Sequence, residues 1–141
     1  MIMLVLSDSK KPISSREGMK RCVETSTTFA DWVKQSDQDY KDMLVYLKDN
    51  DFERVGELTE RNALAMHDTN THANPPFNYL TDDSYKAMDF VKQLRSEGEK
   101  CSLSVHAVLI VQVLCFAADF FFLTRRFQRN YPLFPSRPPY L

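Results

Sequence analysis

The sequence is poor in glycine. It holds only three, at positions 18, 56 and 98, and no two lie close together. No Gly-rich loop that cradles a nucleotide phosphate can be built from them. Excess charge is also missing. Eighteen basic residues face nineteen acidic ones, for a formal net charge of −1. That balance gives no general electrostatic case for nucleic acid or an acidic lipid surface. There is no CxxC pair. Cys22, Cys101 and Cys115 form an odd set, which suits a reducing, cytoplasmic setting better than a disulfide framework. No His/Cys/Asp/Glu spacing has the form of a metal site. His67 and His72 stand five apart in a polar stretch, and two such histidines fall short of the three or four ligands a metal needs. They read as structural or surface histidines.

What remains is an ordinary globular composition, 43% hydrophobic and 26% charged, over 141 residues. That length suits one domain with a modest core. The opening MIMLVL reads as a short buried strand, since it is too short for a leader and no basic residue precedes it. Apolar spacing and cap residues then predict helices near 15–34, 37–48, 51–66, 82–97 and 117–128, and strands near 3–6, 102–107, 110–115 and 130–134. Ser14 with Glu17 has the form of a capping box, Ser36 opens the second helix, and Thr81 caps the fourth, which ends at Gly98. HDTNTHANPPFNY is expected to be a long polar loop stiffened by Pro75 and Pro76.

Residues 103–123 admit two readings. Leu103, Val105 and Ala107 alternate with Ser102, Ser104 and His106, which is strand periodicity. The stretch is also about twenty residues long, mostly apolar, and followed by Arg125, Arg126 and Arg129, as a membrane anchor would be. His106, Gln112 and Asp119 weigh against a span, so membrane insertion is not the expected reading; the alternative function it would carry is a non-catalytic helical domain with a C-terminal membrane anchor at 103–123. Nothing between the two apolar halves carries turn chemistry.

The stretch KKPISSREGM, residues 10–19, is the best candidate for chemistry. A helix start exposes backbone N–H groups and the positive end of the helix dipole, so it can hold an anion. Ser14 and Ser15 add hydroxyls, and Lys10 and Lys11 add charge. On spacing alone, an ordinary capped helix with solvated lysines explains the same residues.

KKPISSREGMKRCVETS, followed in order by ERNALAMH, ANPPFNYLT and AMDFVKQLRSEGEKC, resembles the C-terminal half of bacterial diphosphomevalonate decarboxylases of the GHMP kinase superfamily. The likeness runs from about residue 3 to residue 101, and 102–141 diverges within what is expected to be a single domain over 1–141. It implies an α+β fold, a small antiparallel sheet with helices packed on one face. It implies ATP and Mg²⁺ as cofactors in the family, a diphosphate substrate, and a step in isoprenoid synthesis in which phosphorylation of a tertiary hydroxyl precedes loss of CO₂. Carried over by position, Ser15 lies against the substrate's phosphates, Ser14 stands beside it, and Lys10 supplies charge on the diphosphate side. The family's catalytic aspartate falls on His106, and its Gly-Pro-Asn turn on Val108, Leu109 and Ile110. The resemblance credits the family's N-terminal half with the ATP loop and a substrate arginine, and these 141 residues hold no counterpart. The expectation is a chain without decarboxylase activity alone, binding neither ATP nor metal alone, with an apolar face suited to a homodimer.

Overall fold

A computed structural model describes residues 1–6, 13–106 and 110–131, with the backbone alone described for His106 and Ile110. In chain order the elements are β1 (Ile2–Val5), α1 (Ser15–Thr25), α2 (Phe29–Lys48), α3 (Phe52–Thr71), α4 (Asp82–Ser96), β2 (Cys101–His106), β3 (Ile110–Cys115), a 3₁₀ turn (Ala117–Asp119) and α5 (Phe120–Asn130). The strands form an antiparallel sheet in the order β1-β3-β2. The α+β expectation holds.

Register follows the apolar alternation. Ile2 opposes Val113 and Leu4 opposes Val111, while Leu103 opposes Val113 and Val105 opposes Val111. All six side chains are buried on one face. Ala87, Met88, Val91 and Leu94 of α4 cover that face together with Leu123 and Phe127 of α5. Met3 and Val5, the alternate positions of β1, are exposed. The third helix lies against β2, where a Cβ on Gly56 would stand 2.6 Å from the Ser102 hydroxyl.

Residues 103–123 are therefore not a helical membrane span. Of the described residues in this stretch, 103–106 and 110–115 lie in paired strands, and a 3₁₀ turn and the start of α5 follow. No helix among the described residues is long and apolar enough to cross a membrane. The strand expected at 130–134 is also corrected: Asn130 closes α5 and Tyr131 is its C-cap, while 132–134 lie outside the described residues. So do Val108 and Leu109 of the erased turn, while Ile110, its third position, opens β3 opposite His106.

The break between the first two helices falls at Ser26–Thr28, not near residue 35. Thr28 precedes α2, and the Thr27 N–H donates to the His72 carbonyl at 3.3 Å. Ser36 caps nothing; its hydroxyl accepts from Asn62 Nδ2 at 2.9 Å. The expected apolar face of α2 is largely exposed, with Tyr40, Leu44 and Leu47 each more than half accessible. Instead α2 buries a charge. Asp39 accepts from Gln35 Nε2, Asn62 Nδ2 and Arg61 Nη2 at 2.9, 2.9 and 2.6 Å.

Burial alone would raise the Asp39 carboxyl. The bonds from Gln35, Asn62 and Arg61, with the Arg61 charge, outweigh it and hold the group below its ordinary range. A depressed carboxyl contributes stability above its unfolded pKa and loses it as pH falls through the folded value. Asp39→Asn is expected to cost about 1–3 kcal/mol at neutral pH. Its gap from wild type should narrow below about pH 4, as read by urea unfolding at both pH values.

Candidate functional site

Ser14 is the N-cap of α1. Its backbone is extended, with φ −67° and ψ 154°, and its hydroxyl accepts the Glu17 N–H at 3.2 Å. Ser14, Ser15, Arg16 and Glu17 are all exposed, so the helix opens toward solvent. The Ser14 hydroxyl still has its own proton to donate outward.

What fixes this opening lies behind it. The segment read as a loop from His67 onward is helical as far as Thr71, and its last turn faces α1. The Cys22 thiol donates to Asn70 Oδ1 at 3.2 Å. The Asn74 N–H donates to Thr25 Oγ1 at 2.8 Å, and Arg21 Nη1 to the Pro75 carbonyl at 3.3 Å. The Phe77 N–H returns to the Asn70 carbonyl at 3.1 Å. Finally the Tyr79 hydroxyl donates to the Ser14 carbonyl at 3.0 Å, at the N-cap itself. Burial raises the Tyr79 hydroxyl above its usual value, so it stays a neutral donor at physiological pH. Residues 70–79 thus form a strap that holds α1 along its whole length.

Gly18 is what lets the strap come close. It is buried, and a Cβ there would collide with the Tyr79 hydroxyl and stand 3.0 Å from the Phe77 ring. Phe77 and Tyr79 in turn pack edge to face, with centroids 5.2 Å apart. Gly18→Ala is expected to destabilise the chain. Overpacking a confined site costs about 1–3 kcal/mol, and alanine's better helix propensity offsets only about 1 kcal/mol. Urea unfolding should show the loss, and Tyr79→Phe in the same chain should recover part of it.

The other expected site residues are scattered. Lys10 lies outside the described residues. His106 takes the last ladder position of β2, opposite Ile110. His67 is buried within α3, its ring edge-on to Tyr79 at 6.5 Å, and does not sit in a loop. His72 caps the C-terminus of α3, exposed, with Nδ1 3.2 Å from Asp68 Oδ2. Among the described residues no three His, Cys, Asp or Glu side chains gather as a metal would need. A concavity of about 710 Å³ opens elsewhere, lined by Glu57, Glu60, Arg61, Arg95 and Lys100 among others. Its Glu60 and Arg95 neutralise each other at 2.8 Å, so it offers an anion no clear excess of positive charge.

Residues 1–104 match the family model described as mevalonate 5-diphosphate decarboxylase C-terminal domain. The chain belongs to this family. A diphosphomevalonate decarboxylase of Candida albicans is 32% identical over 97 residues, which is 68% of this chain and 27% of that protein. The solved mevalonate pyrophosphate decarboxylase from Streptococcus pyogenes superposes with a TM-score of 0.88 at 59% identity, covering 92% of this chain and 41% of that one. A further solved structure, MDDEF in complex with MVAPP, AMPPCP and magnesium, gives a TM-score of 0.87 at 34% identity over 93% of this chain and 40% of that one. The chain therefore spans about a quarter of the Candida protein and about two fifths of the solved decarboxylases.

Sequence reasoning found the helix opening through Ser14 and Ser15 but missed Gly18, Asn70, Phe77 and Tyr79. The PPF.Y spacing was visible as part of the family pattern. What it touches was not, because Tyr79 and Ser14 meet across 65 positions of chain.

Proposed function

We propose that this chain serves as the C-terminal module of an ATP-dependent diphosphomevalonate decarboxylase, and that the opening of α1 meets the diphosphate of its substrate. The observation that carries the reading is the exposed, strapped N-terminus of α1 in a chain of this family. Ser15 sits where the family's serine lies against phosphate, Ser14 supplies a second hydroxyl, and Lys10 supplies charge from the preceding segment. The positive end of the helix dipole favours an anion there, and the strap holds that end in place before binding.

The residues present do not fit ATP with Mg²⁺. The three glycines are each isolated, no metal-ligand cluster forms among the described residues, and an imidazole at position 106 cannot supply a carboxylate's negative charge. Turnover then needs groups that these 141 residues do not contain. Two measurements test this. Inorganic pyrophosphate titrated into the chain should shift the amide resonances of residues 14–17 more than any others; shifts centred elsewhere would count against the site. Purified chain given mevalonate diphosphate, ATP and Mg²⁺ should release no more CO₂ than a vector control, and release above it would overturn the claim of inactivity.

A further inference from the structure

Cys101 and Cys115 are direct cross-strand partners at the base of the β2–β3 ladder. Two residues along, Leu103 turns its N–H away from β3 and gives it to Glu60 Oε1 at 2.9 Å. The Cys101 N–H likewise goes to the Glu99 carbonyl at 3.1 Å. Positions two apart share a hydrogen-bonding class in an antiparallel ladder, so Cys101 and Cys115 form a non-hydrogen-bonded pair. Such pairs bring Cα atoms to about 4.5 Å, inside the roughly 4.4–6.8 Å that a disulfide spans. Both side chains lie on the same face as the core. Cys101 is 2% exposed, and Cys115 packs against the same cluster while remaining partly accessible. Both are thiols in this structure.

We propose that Cys101 and Cys115 are a redox modification site, in which a low-molecular-weight disulfide converts the pair to a cross-strand disulfide that locks the base of the hairpin ending at His106. Cys115, the accessible member, reacts first. Its thiolate attacks one sulfur of the small disulfide, forms a mixed disulfide and expels one thiolate. The Cys101 thiolate then attacks the Cys115 sulfur, forms the protein disulfide and expels the second thiolate. Two protein thiols lose two electrons and two protons; the small disulfide takes both electrons, and the released thiolates or water take the protons. Burial pushes the Cys101 thiol up to about 11 and raises Cys115 as well, so exchange is slow at neutral pH and quickens in mild alkali. Cys22 does not compete. It lies on α1, is 2% exposed, and donates its thiol to Asn70 of α3, away from the β2–β3 pair.

The test exposes the folded 141-residue chain to oxidised glutathione at about pH 8.5, near the ordinary thiol pKa. The chain is then unfolded and its remaining thiols are alkylated. The expected product has lost two hydrogens and carries one alkyl group, on Cys22. Cys101→Ser should instead keep one glutathione on Cys115, and Cys115→Ser should take up none. Three alkyl groups on the wild type, a glutathione left standing on Cys115 beside an alkylated Cys101, a bond involving Cys22, or a disulfide-linked dimer would each overturn the proposal. The wild-type result decides even if a variant fails to fold.

Discussion

Phe127→Ala is expected to remove about 3–5 kcal/mol from the stability of this chain, as deletion of a buried ring generally does. Phe127 is 1% exposed and is the largest fully buried side chain among the described residues. Its ring meets Phe90 of α4 edge to face at 5.1 Å, and Leu123, one turn earlier on α5, is buried in the same cluster. Removing it takes dispersion contacts from both helices and leaves a cavity over the sheet that α4 cannot collapse to fill. A domain of this size has only about 5–15 kcal/mol in hand. The variant should therefore unfold at much lower urea, or fail to accumulate at 37 °C. Phe121→Ala is the control. That residue sits on the same helix but is 78% exposed, and its loss should stay within about 0.5 kcal/mol. If the two variants behaved alike, α5 would not be a wall of the core, and the divergent stretch after Cys101 would not belong to the folded unit.

That contrast also shows which parts of this fold could be read from the chain and which could not. The β2–β3 pairing was legible because Leu103 and Val105 alternate with Ser102 and Ser104, and a buried face demands that alternation. Both ends of α4 were legible because their chemistry is local. Thr81 and Ser84 close a capping box, and Gly98 takes φ +96°, a conformation open to glycine. The end of α3 was misjudged because HDTNT is polar, and polarity suggested a loop. Yet Thr69 and Asn70 are buried there, their polar groups met by Met66 and by Cys22 and Phe77. Polar side chains can sit inside a helix when a distant element satisfies them. The break between α1 and α2 was misplaced for the same kind of reason. Ser36 looked like a cap, but its partner is Asn62 on the next helix. The candidate site divides along this line. Ser14 announces itself by its cap position; Gly18 and Tyr79 acquire meaning only once the strap has folded back.

Glu60→Ala should be the second severe substitution, and the reason is the strand edge it covers. β2 is an outer strand, and an outer strand carries N–H groups with no ladder partner. Close approach of α3 at Gly56 places Glu60, one turn further on, against that edge. There Oε1 accepts from the Leu103 N–H at 2.9 Å, from the Ser102 hydroxyl at 2.7 Å and from Arg95 Nη1 at 2.8 Å, while Oε2 accepts from Arg95 Nη2 at 3.0 Å. One carboxylate thus ties α3, α4 and β2. The Arg95 side chain keeps 32% of its surface exposed, so its charge can rehydrate and its share of the loss is small. The Leu103 amide and the Ser102 hydroxyl are sheltered and cannot. Each unmet group costs about 1–3 kcal/mol, so the two together give an expected loss of about 2–6 kcal/mol. Glu60→Gln should cost less, since its carbonyl can still accept from the Leu103 N–H. Hydrogen exchange separates this account from a generic loss of packing. In Glu60→Ala the Leu103 amide should lose protection well before those of Val111 and Val113, which lie inside the sheet; equal loss at all three would show that Glu60 does not guard the edge.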